Sequence, residues 1–129
     1  AALDSSRFAV DEAARARGLA GVVWPARFHR AGGNVVIDGA HNPAAVQALV
    51  ATWREVFGDC AARLVFGALR DKDAAELLRL LRQIADEVWL VPVASERGAD
   101  VASLAHAARV ACFSRIHEGR VGEALEEAR

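Results

Sequence analysis

The chain has 129 residues, of which 53% are hydrophobic and 26% are charged, a balance that fits one globular domain and excludes disordered, collagen-like and fibrous classes. Sixteen basic and seventeen acidic residues give a formal net charge of −1, so we expect neither nucleic acid nor a membrane surface as a partner. No apolar run reaches the ~18–20 residues that span a bilayer, and the first residues do not resemble an export signal, which predicts a cytoplasmic protein.

The cysteines, the methionine content and the lysine content give further information about the class of protein. Cys60 and Cys112 have neither a CxxC spacing nor a neighbouring histidine pair, so we predict reduced packing residues rather than a zinc site or a disulfide. Methionine is absent and Lys72 is the only lysine in an arginine-rich chain. We therefore expect a segment of a longer protein.

The first predicted elements are a helix, a hairpin and a second helix. The alanine-rich stretch 3–17 predicts a helix that ends at Gly18. Two extended runs at 27–30 and 35–38, separated by a glycine-containing turn, predict a hairpin. Apolar residues then recur with helical spacing, and this helix is predicted to end at residues 58–59; the stripe consists of Val46, Leu49, Val50, Trp53 and Phe57.

The rest of the chain alternates short apolar strands with helices of about ten residues. The predicted strands are 63–66, 87–91 and 109–113, and the predicted helices are 73–85, 100–108 and 121–128. Asp73 with Glu76 resembles a capping box at the start of the first of these helices. Alternating strands and helices predict a three-layer αβα, Rossmann-like domain with a mostly parallel sheet, preceded by the N-terminal hairpin.

Ligands of such sheets bind beyond the carboxyl ends of the strands, where loops 38–43, 67–73 and 92–99 are expected to lie. The first loop places Asp38 after a strand, then Asn42 as a helix N-cap and Pro43 at the first helical position. Asp38 could accept hydrogen bonds from ribose hydroxyls, and His41 could reach a nucleotide. Alternatively, Asp38 and Asn42 only satisfy backbone groups of a tight turn.

Four segments carry a family resemblance, in the same order as in the family. Residues 35–43, VVIDGAHNP, resemble the signature at the start of the C-terminal domain of folylpolyglutamate synthase/dihydrofolate synthase, in the Mur ligase superfamily. Gly18-Leu19 with the stretch WPAR at 24–27 resembles the family's GL…WPGR, with Ala26 in place of the usual glycine. Residues 64–73, LVFGALRDKD, resemble FGAL.DKD, and residues 95–99 resemble a more variable S.R.A loop.

The resemblance implies an ATP-dependent carboxylate–amine ligase that joins L-glutamate to folate or dihydropteroate through an acyl phosphate, with ADP as product. ATP and Mg²⁺ would be bound mainly by an N-terminal ATPase domain, and the protein is expected to be a monomer. The chain lacks the family's GxxxxGK[ST] phosphate loop and its metal ligands. Alone it is therefore expected to be inactive, and no metal ligand is assigned to it.

The resemblance also assigns site residues one at a time. Arg27 matches the arginine that approaches the ATP phosphates, Asp38 the nucleotide-contacting aspartate, and His41 a histidine of the same site, which we also take as catalytic. Arg27 could instead be a surface arginine, and His41 could order its loop.

The other assigned residues face the amino-acid substrate. Lys72 matches a lysine that holds the incoming amino acid, so it is predicted to bind substrate and act in catalysis. Alternatively, it pairs with its flanking aspartates on a solvated loop. Ser95 and Arg97 are predicted to line the same cleft.

The predicted organisation follows from these matches. Residues 1–20 are expected to be the tail of a central ATPase domain, and residues 21–129 a Mur ligase-like C-terminal domain whose last strand is truncated. The alternatives are a cell-wall precursor ligase of the same superfamily and a non-catalytic α/β nucleotide-binding module.

Overall fold

The computed structural model describes residues 10–22 and 24–127. The chain divides into two compact units, Ala1–Asp38 and Gly39–Arg129. Each unit has its own secondary structure.

The first unit contains one helix and a short hairpin. Helix α1, Glu12–Ala20, begins where the Asp11 side chain accepts a hydrogen bond from the Ala14 amide at 2.6 Å. It ends at Gly21 rather than at the predicted Gly18, and the predicted first turns, residues 3–9, lie outside the described part of the chain.

The hairpin pairs β1, His29–Arg30, with β2, Val36–Ile37, in antiparallel register. Its turn passes through Gly32 and Gly33, whose φ angles of 90° and 55° lie in the left-handed region that glycine enters without a Cβ clash. The predicted hairpin is confirmed, although its ladder is shorter than the two runs of extended residues.

The second unit is a parallel sheet with helices. Its strands pair in the order β3-β4-β5; they are β3, Ala62–Phe66, β4, Ala85–Leu90, and β5, Arg115–Glu118. Its helices are α2, Pro43–Phe57, α3, Ala74–Leu81, α4, Val101–Val110, and α5, Val121–Glu127.

Different helices cover the two faces of this sheet. Helix α3 packs between α2 and α4, and Val88 and Leu90 of β4, both 0% exposed, belong to the core cluster that these helices complete. The alternate residues Glu87 and Trp89 are buried on the other face. There, helix α5 is joined to β3 by a hydrogen bond from Arg63 Nη1 to the Glu127 carbonyl. The α/β fold, with a parallel sheet and a preceding hairpin, is therefore confirmed.

The predicted strand at 109–113 is wrong. Arg109 and Val110 complete helix α4, and the chain then turns through Cys112, whose φ is 62°. The strand that follows is β5, which begins at Arg115, two residues after the end of the predicted strand. Ala111 and Phe113 are buried, so their apolar character reflects packing at the end of a helix rather than a strand.

Two further boundaries differ from the prediction. Helix α3 ends at Leu81, not at residue 85, and Arg82 is its C-cap. The three residues after the helix, 82–84, form a turn, and β4 starts at Ala85 instead of residue 87. The buried Ile84 and Ala85 belong to this turn and strand, although they continue the apolar spacing of the helix.

Both cysteines are free thiols, in agreement with the prediction, but Cys60 and Cys112 are exposed. The interpretation of them as packing residues is therefore wrong. Among the described helices, none is long and apolar enough to cross a membrane.

Candidate functional site

Arg27 lies on a strained stretch of backbone just before β1 in the first unit. Arg27 is exposed and lies between Ala26, with a φ of 57°, and Phe28, with a φ of 44°. A non-glycine residue in the left-handed region costs about 1–2 kcal/mol, and such strain is concentrated at functional sites. The φ of Ala26 explains why the resembling motif has glycine at this position.

Asp38 is tied to the same segment. Its Oδ2 accepts a hydrogen bond from the Phe28 amide at 2.7 Å, and the side chain is half-buried. The carboxylate thus anchors the backbone immediately after Arg27. Asp38 thus satisfies a backbone amide, but one that lies ten residues earlier in the chain and not in the turn at residues 38–43.

In the second unit, the loop before α2 orients His41. Its ring Nδ1 lies 2.9 Å from the Gly39 carbonyl oxygen. Because a carbonyl only accepts, Nδ1 carries the proton, and in the neutral ring Nε2 is an acceptor. His41 is exposed, so Nε2 can accept from a ligand hydroxyl or amine. The contact of Nδ1 with the Gly39 carbonyl agrees with the alternative interpretation that His41 orders its loop.

The start of α2 agrees with the sequence prediction. Asn42 is the N-cap, and its side-chain oxygen accepts from the Ala45 amide at 2.9 Å, while Pro43 is the first helical residue. The Asn42 side chain thus supplies an acceptor for one of the amide groups at the start of the helix. The amide groups of the first turn nevertheless give this end of the helix a partial positive charge that favours an anion.

The two remaining strand-end loops, 67–73 and 92–99, are joined by their backbones. Leu69 and Gly98 form an antiparallel bridge. The Arg70 amide donates to the Arg97 carbonyl at 2.8 Å, and the Ala99 amide donates to the Ala68 carbonyl at 2.9 Å. This contact requires glycine at residue 98, because a Cβ there would lie 2.8 Å from the Val93 carbonyl oxygen.

The joined loops bring three predicted substrate residues together. Lys72 Nζ lies 2.7 Å from Asp71 Oδ2, and Arg97 Nη2 lies 3.3 Å from Asp71 Oδ1. The Ser95 hydroxyl accepts from the Arg97 amide at 3.2 Å. Lys72, Ser95 and Arg97 therefore lie in one place, and Lys72 pairs with an adjacent aspartate as the alternative interpretation expected.

Two carboxyl groups near these loops are stabilised in their charged form. The hydrogen bond from Lys72 lowers the pKa of Asp71, and Arg97 lowers it further. The Ser103 hydroxyl and amide lower the pKa of Asp100, the N-cap of α4, with a smaller contribution from the charge of Arg70. Both groups are therefore anions at neutral pH.

Asp71 is the residue that sequence reasoning missed as a member of the site. Its position in the DKD segment marked it only as a neighbour of Lys72. Its second partner, Arg97, is 26 residues away in sequence, and no local pattern predicts such a contact.

A second charged cluster lies on the sheet face near α5. Glu87, 8% exposed, forms ion pairs with Arg63 Nε at 3.3 Å and Arg115 Nη2 at 3.2 Å, and its Oε1 lies 3.1 Å from His117 Nε2. The His117 ring also stacks on Trp89, with centroids 4.8 Å apart. These contacts join all three strands, which assigns the cluster a structural role.

A divalent cation such as Mg²⁺ is bound by protein oxygen ligands, chiefly carboxylates. Within residues 10–22 and 24–127, no group of three or more His, Cys, Asp or Glu side chains could hold a metal ion. The described residues therefore do not fit a Mg²⁺ site, and no metal step is assigned to them.

Comparison with known proteins identifies relatives. The family model described as Mur ligase, glutamate ligase domain, matches residues 26–129. A curated relative, the probable bifunctional folylpolyglutamate synthase/dihydropteroate synthase of Halobacterium salinarum, is 38% identical over 137 aligned positions, covering 99% of this chain and 16% of that protein.

Solved structures similar to this chain are also folylpolyglutamate synthases. Folylpolyglutamate synthase of Mycobacterium tuberculosis, complexed with ADP, matches with a TM-score of 0.81 and 33% identity, over 92% of this chain and 28% of that one. A bifunctional folylpolyglutamate synthase/dihydrofolate synthase with Mn, AMPPNP and L-glutamate bound matches with a TM-score of 0.79 and 30% identity, over 98% and 30%. The chain thus spans less than a third of each of these relatives.

Proposed function

The chain belongs to the Mur ligase family as a glutamate ligase domain, and from this premise we propose that it is the C-terminal domain of an ATP-dependent ligase that joins L-glutamate to folate or dihydropteroate. The observation that carries the proposal is the match of 99% of the chain to a probable folylpolyglutamate synthase at 38% identity. Both matched structures described above are also folylpolyglutamate synthases, which favours this activity over cell-wall precursor ligation.

In the proposed reaction, the γ-phosphoryl group of ATP passes to a carboxylate oxygen of the folate substrate, and ADP leaves. The glutamate amine then attacks the carbonyl carbon of the acyl phosphate. The C–N bond forms, the C–O bond to phosphate breaks, and inorganic phosphate and a proton are released. Such a reaction depends mainly on placing charged reactants and stabilising developing charge.

Three residues are proposed to contact the nucleotide. The exposed Arg27 guanidinium suits two phosphate oxygens at once. Asp38, which holds the Phe28 amide, supplies a carboxylate for nucleotide donors. His41, with its proton fixed on Nδ1 by the Gly39 carbonyl, offers Nε2 as an acceptor. These assignments are supported by the geometry within each unit.

Glutamate is proposed to bind at the joined loops. Lys72 and Arg97 are two cations held by one carboxylate, and a substrate carboxylate is the natural counter-ion of such a pair. Ser95 is assigned to the same site because its hydroxyl shapes the backbone at Arg97. Lys72 would act in catalysis by placing glutamate so that its amine faces the acyl phosphate.

The proposal also covers the domain organisation, the oligomeric state and the cellular location of the full protein. Residues 1–20 would be the tail of a preceding ATPase domain, which would supply the phosphate loop and the Mg²⁺ ligands, and residues 21–129 the C-terminal domain. The full ligase is proposed to be a cytoplasmic monomer.

An ATP titration of the isotopically labelled chain, followed by NMR, tests the nucleotide assignment. We expect chemical-shift changes at Arg27 and at residues 38–43, and their loss in Asp38→Asn, which keeps an acceptor for the Phe28 amide. Asp59→Asn, an exposed carboxylate after α2, is the matched control and should leave the changes intact. Shift changes confined to other residues would contradict these assignments.

A further inference from the structure

The carboxylate of Asp71 holds two cations on two different loops. Its Oδ2 accepts from Lys72 Nζ at 2.7 Å, and its Oδ1 accepts from Arg97 Nη2 at 3.3 Å. Because each cation uses a different oxygen, one carboxylate binds both at the same time. We propose that Asp71 is a positioning residue that keeps Lys72 and Arg97 side by side for the substrate carboxylate.

The inference rests on the proposed function, in which Lys72 and Arg97 contact glutamate. The path of the two loops does not depend on Asp71, because the Leu69–Gly98 bridge and the hydrogen bond from the Arg70 amide to the Arg97 carbonyl already join them. The Asp71 ion pairs therefore act on the positions of the side chains rather than on the backbone.

Burial restrains Arg97 and Asp71 little, whereas the side chain of Lys72 is partly buried, at 31% exposure. The side chain of Arg97 is 70% exposed, and that of Asp71 is 47% exposed. A long exposed arginine samples many rotamers, and restricting it has an entropic cost that is otherwise met when the substrate binds. An ion pair that restricts Arg97 beforehand lowers this cost. Exposed pairs contribute little to fold stability, so the effect is expected in binding.

Charge and donor number both favour this role. Lys72 and Arg97 repel each other, and the carboxylate between them offsets that repulsion. An ammonium has three N–H donors and a guanidinium five. Each gives one donor to Asp71 in this structure, which leaves donors on both cations for an incoming carboxylate. Asp71 thus holds the pair without using up its hydrogen-bonding capacity.

The first test measures side-chain order in the 129-residue chain without any substrate. Nitrogen-15 relaxation of the Arg97 guanidinium and the Lys72 ammonium is compared in the wild type, Asp71→Asn and Asp71→Glu. We expect Asp71→Asn to lower the order of both groups and Asp71→Glu, which keeps the charge, to restore it. Glu76→Gln, which removes a similarly exposed pair with Arg79 on α3, should change only Arg79. Unchanged order of Arg97 in Asp71→Asn would refute the proposal.

The second test uses the full-length ligase that the proposed function requires. Asp71→Asn is expected to raise the KM for glutamate about fivefold, while kcat and the KM for ATP change by less than about twofold. An unchanged KM for glutamate would overturn the positioning role, provided that Lys72→Met raises it. If Lys72→Met also leaves that KM unchanged, the assignment of glutamate to these loops is wrong, and the proposed function fails at this point.

Discussion

Replacing Asp38 separates its contribution to the hairpin from its proposed contribution to nucleotide binding. The charge-assisted hydrogen bond from the Phe28 amide is 2.7 Å long, and such bonds contribute about 1.5–3 kcal/mol. Because Asp38 is only half-buried, solvent screening favours the lower end of this range. We therefore expect Asp38→Ala to destabilise the first unit by about 1.5–2 kcal/mol. Asp38→Asn keeps a neutral acceptor and should cost roughly half as much.

The assay is hydrogen exchange of the Phe28 amide, together with urea denaturation. A loss of about 1.5–2 kcal/mol corresponds to roughly 10–30-fold faster exchange of that amide in Asp38→Ala. Both variants should nevertheless weaken ATP binding alike, because both remove the carboxylate charge. Unchanged exchange of the Phe28 amide in Asp38→Ala would refute the structural argument, and unchanged ATP binding in Asp38→Asn would refute the nucleotide contact.

Three further predictions concern strain, burial and pH. Ala26→Gly should stabilise the protein by about 0.5–1 kcal/mol in urea denaturation, because relief of the strain at a φ of 57° exceeds the entropy of the added glycine; Ala48→Gly within α2 should instead destabilise it. Glu87→Gln should destabilise the protein by about 1–3 kcal/mol, since it weakens two arginine ion pairs to a buried carboxylate, whereas Glu76→Gln should cost less than about 0.5 kcal/mol. The Asp71 carboxyl should titrate below its ordinary value of 3.8 by NMR, and its midpoint should rise in Lys72→Met. Because the pKa of Asp71 is lower in the folded wild type than in the unfolded chain, its charged form stabilises the fold. This stabilisation is complete above the unfolded pKa and is lost as pH falls through the folded pKa.

Local patterns predicted the elements whose signals lie within a few residues. The start of α2 is an example, since Asn42 and Pro43 act through the helix that follows them directly. Asp73 likewise accepts from the Glu76 amide at 3.0 Å, as half of the predicted capping box. The Glu76 side chain pairs with Arg79 instead of returning to the cap, so the reciprocal half of the box is absent.

The errors arose where burial came from tertiary packing. Residues 109–113 are apolar enough for a strand, but Ala111 and Phe113 are buried at the end of α4. The left-handed φ of Cys112 that ends this segment has no sequence signal, because cysteine does not favour it.

In the candidate site, too, local features could be predicted from the sequence and long-range contacts could not. The loops that carry Lys72 and Arg97 could be placed at strand ends from the alternation of strands and helices. Their direct contact through Leu69 and Gly98 is non-local, and neither propensity nor periodicity contains that information. The role of Asp71 as a bridge therefore required the structure.

The most direct test of the central claim is the glutamate dependence of ADP formation by the proposed full-length ligase. The wild type is compared with Lys72→Met, and Arg79→Met on α3 is the control for removal of a cation from the same region. The account predicts that Lys72→Met raises the KM for glutamate by about tenfold or more while the KM for ATP stays within about twofold. A KM for glutamate that is the same in Lys72→Met and the wild type, or ADP formation that does not depend on glutamate, would contradict the account.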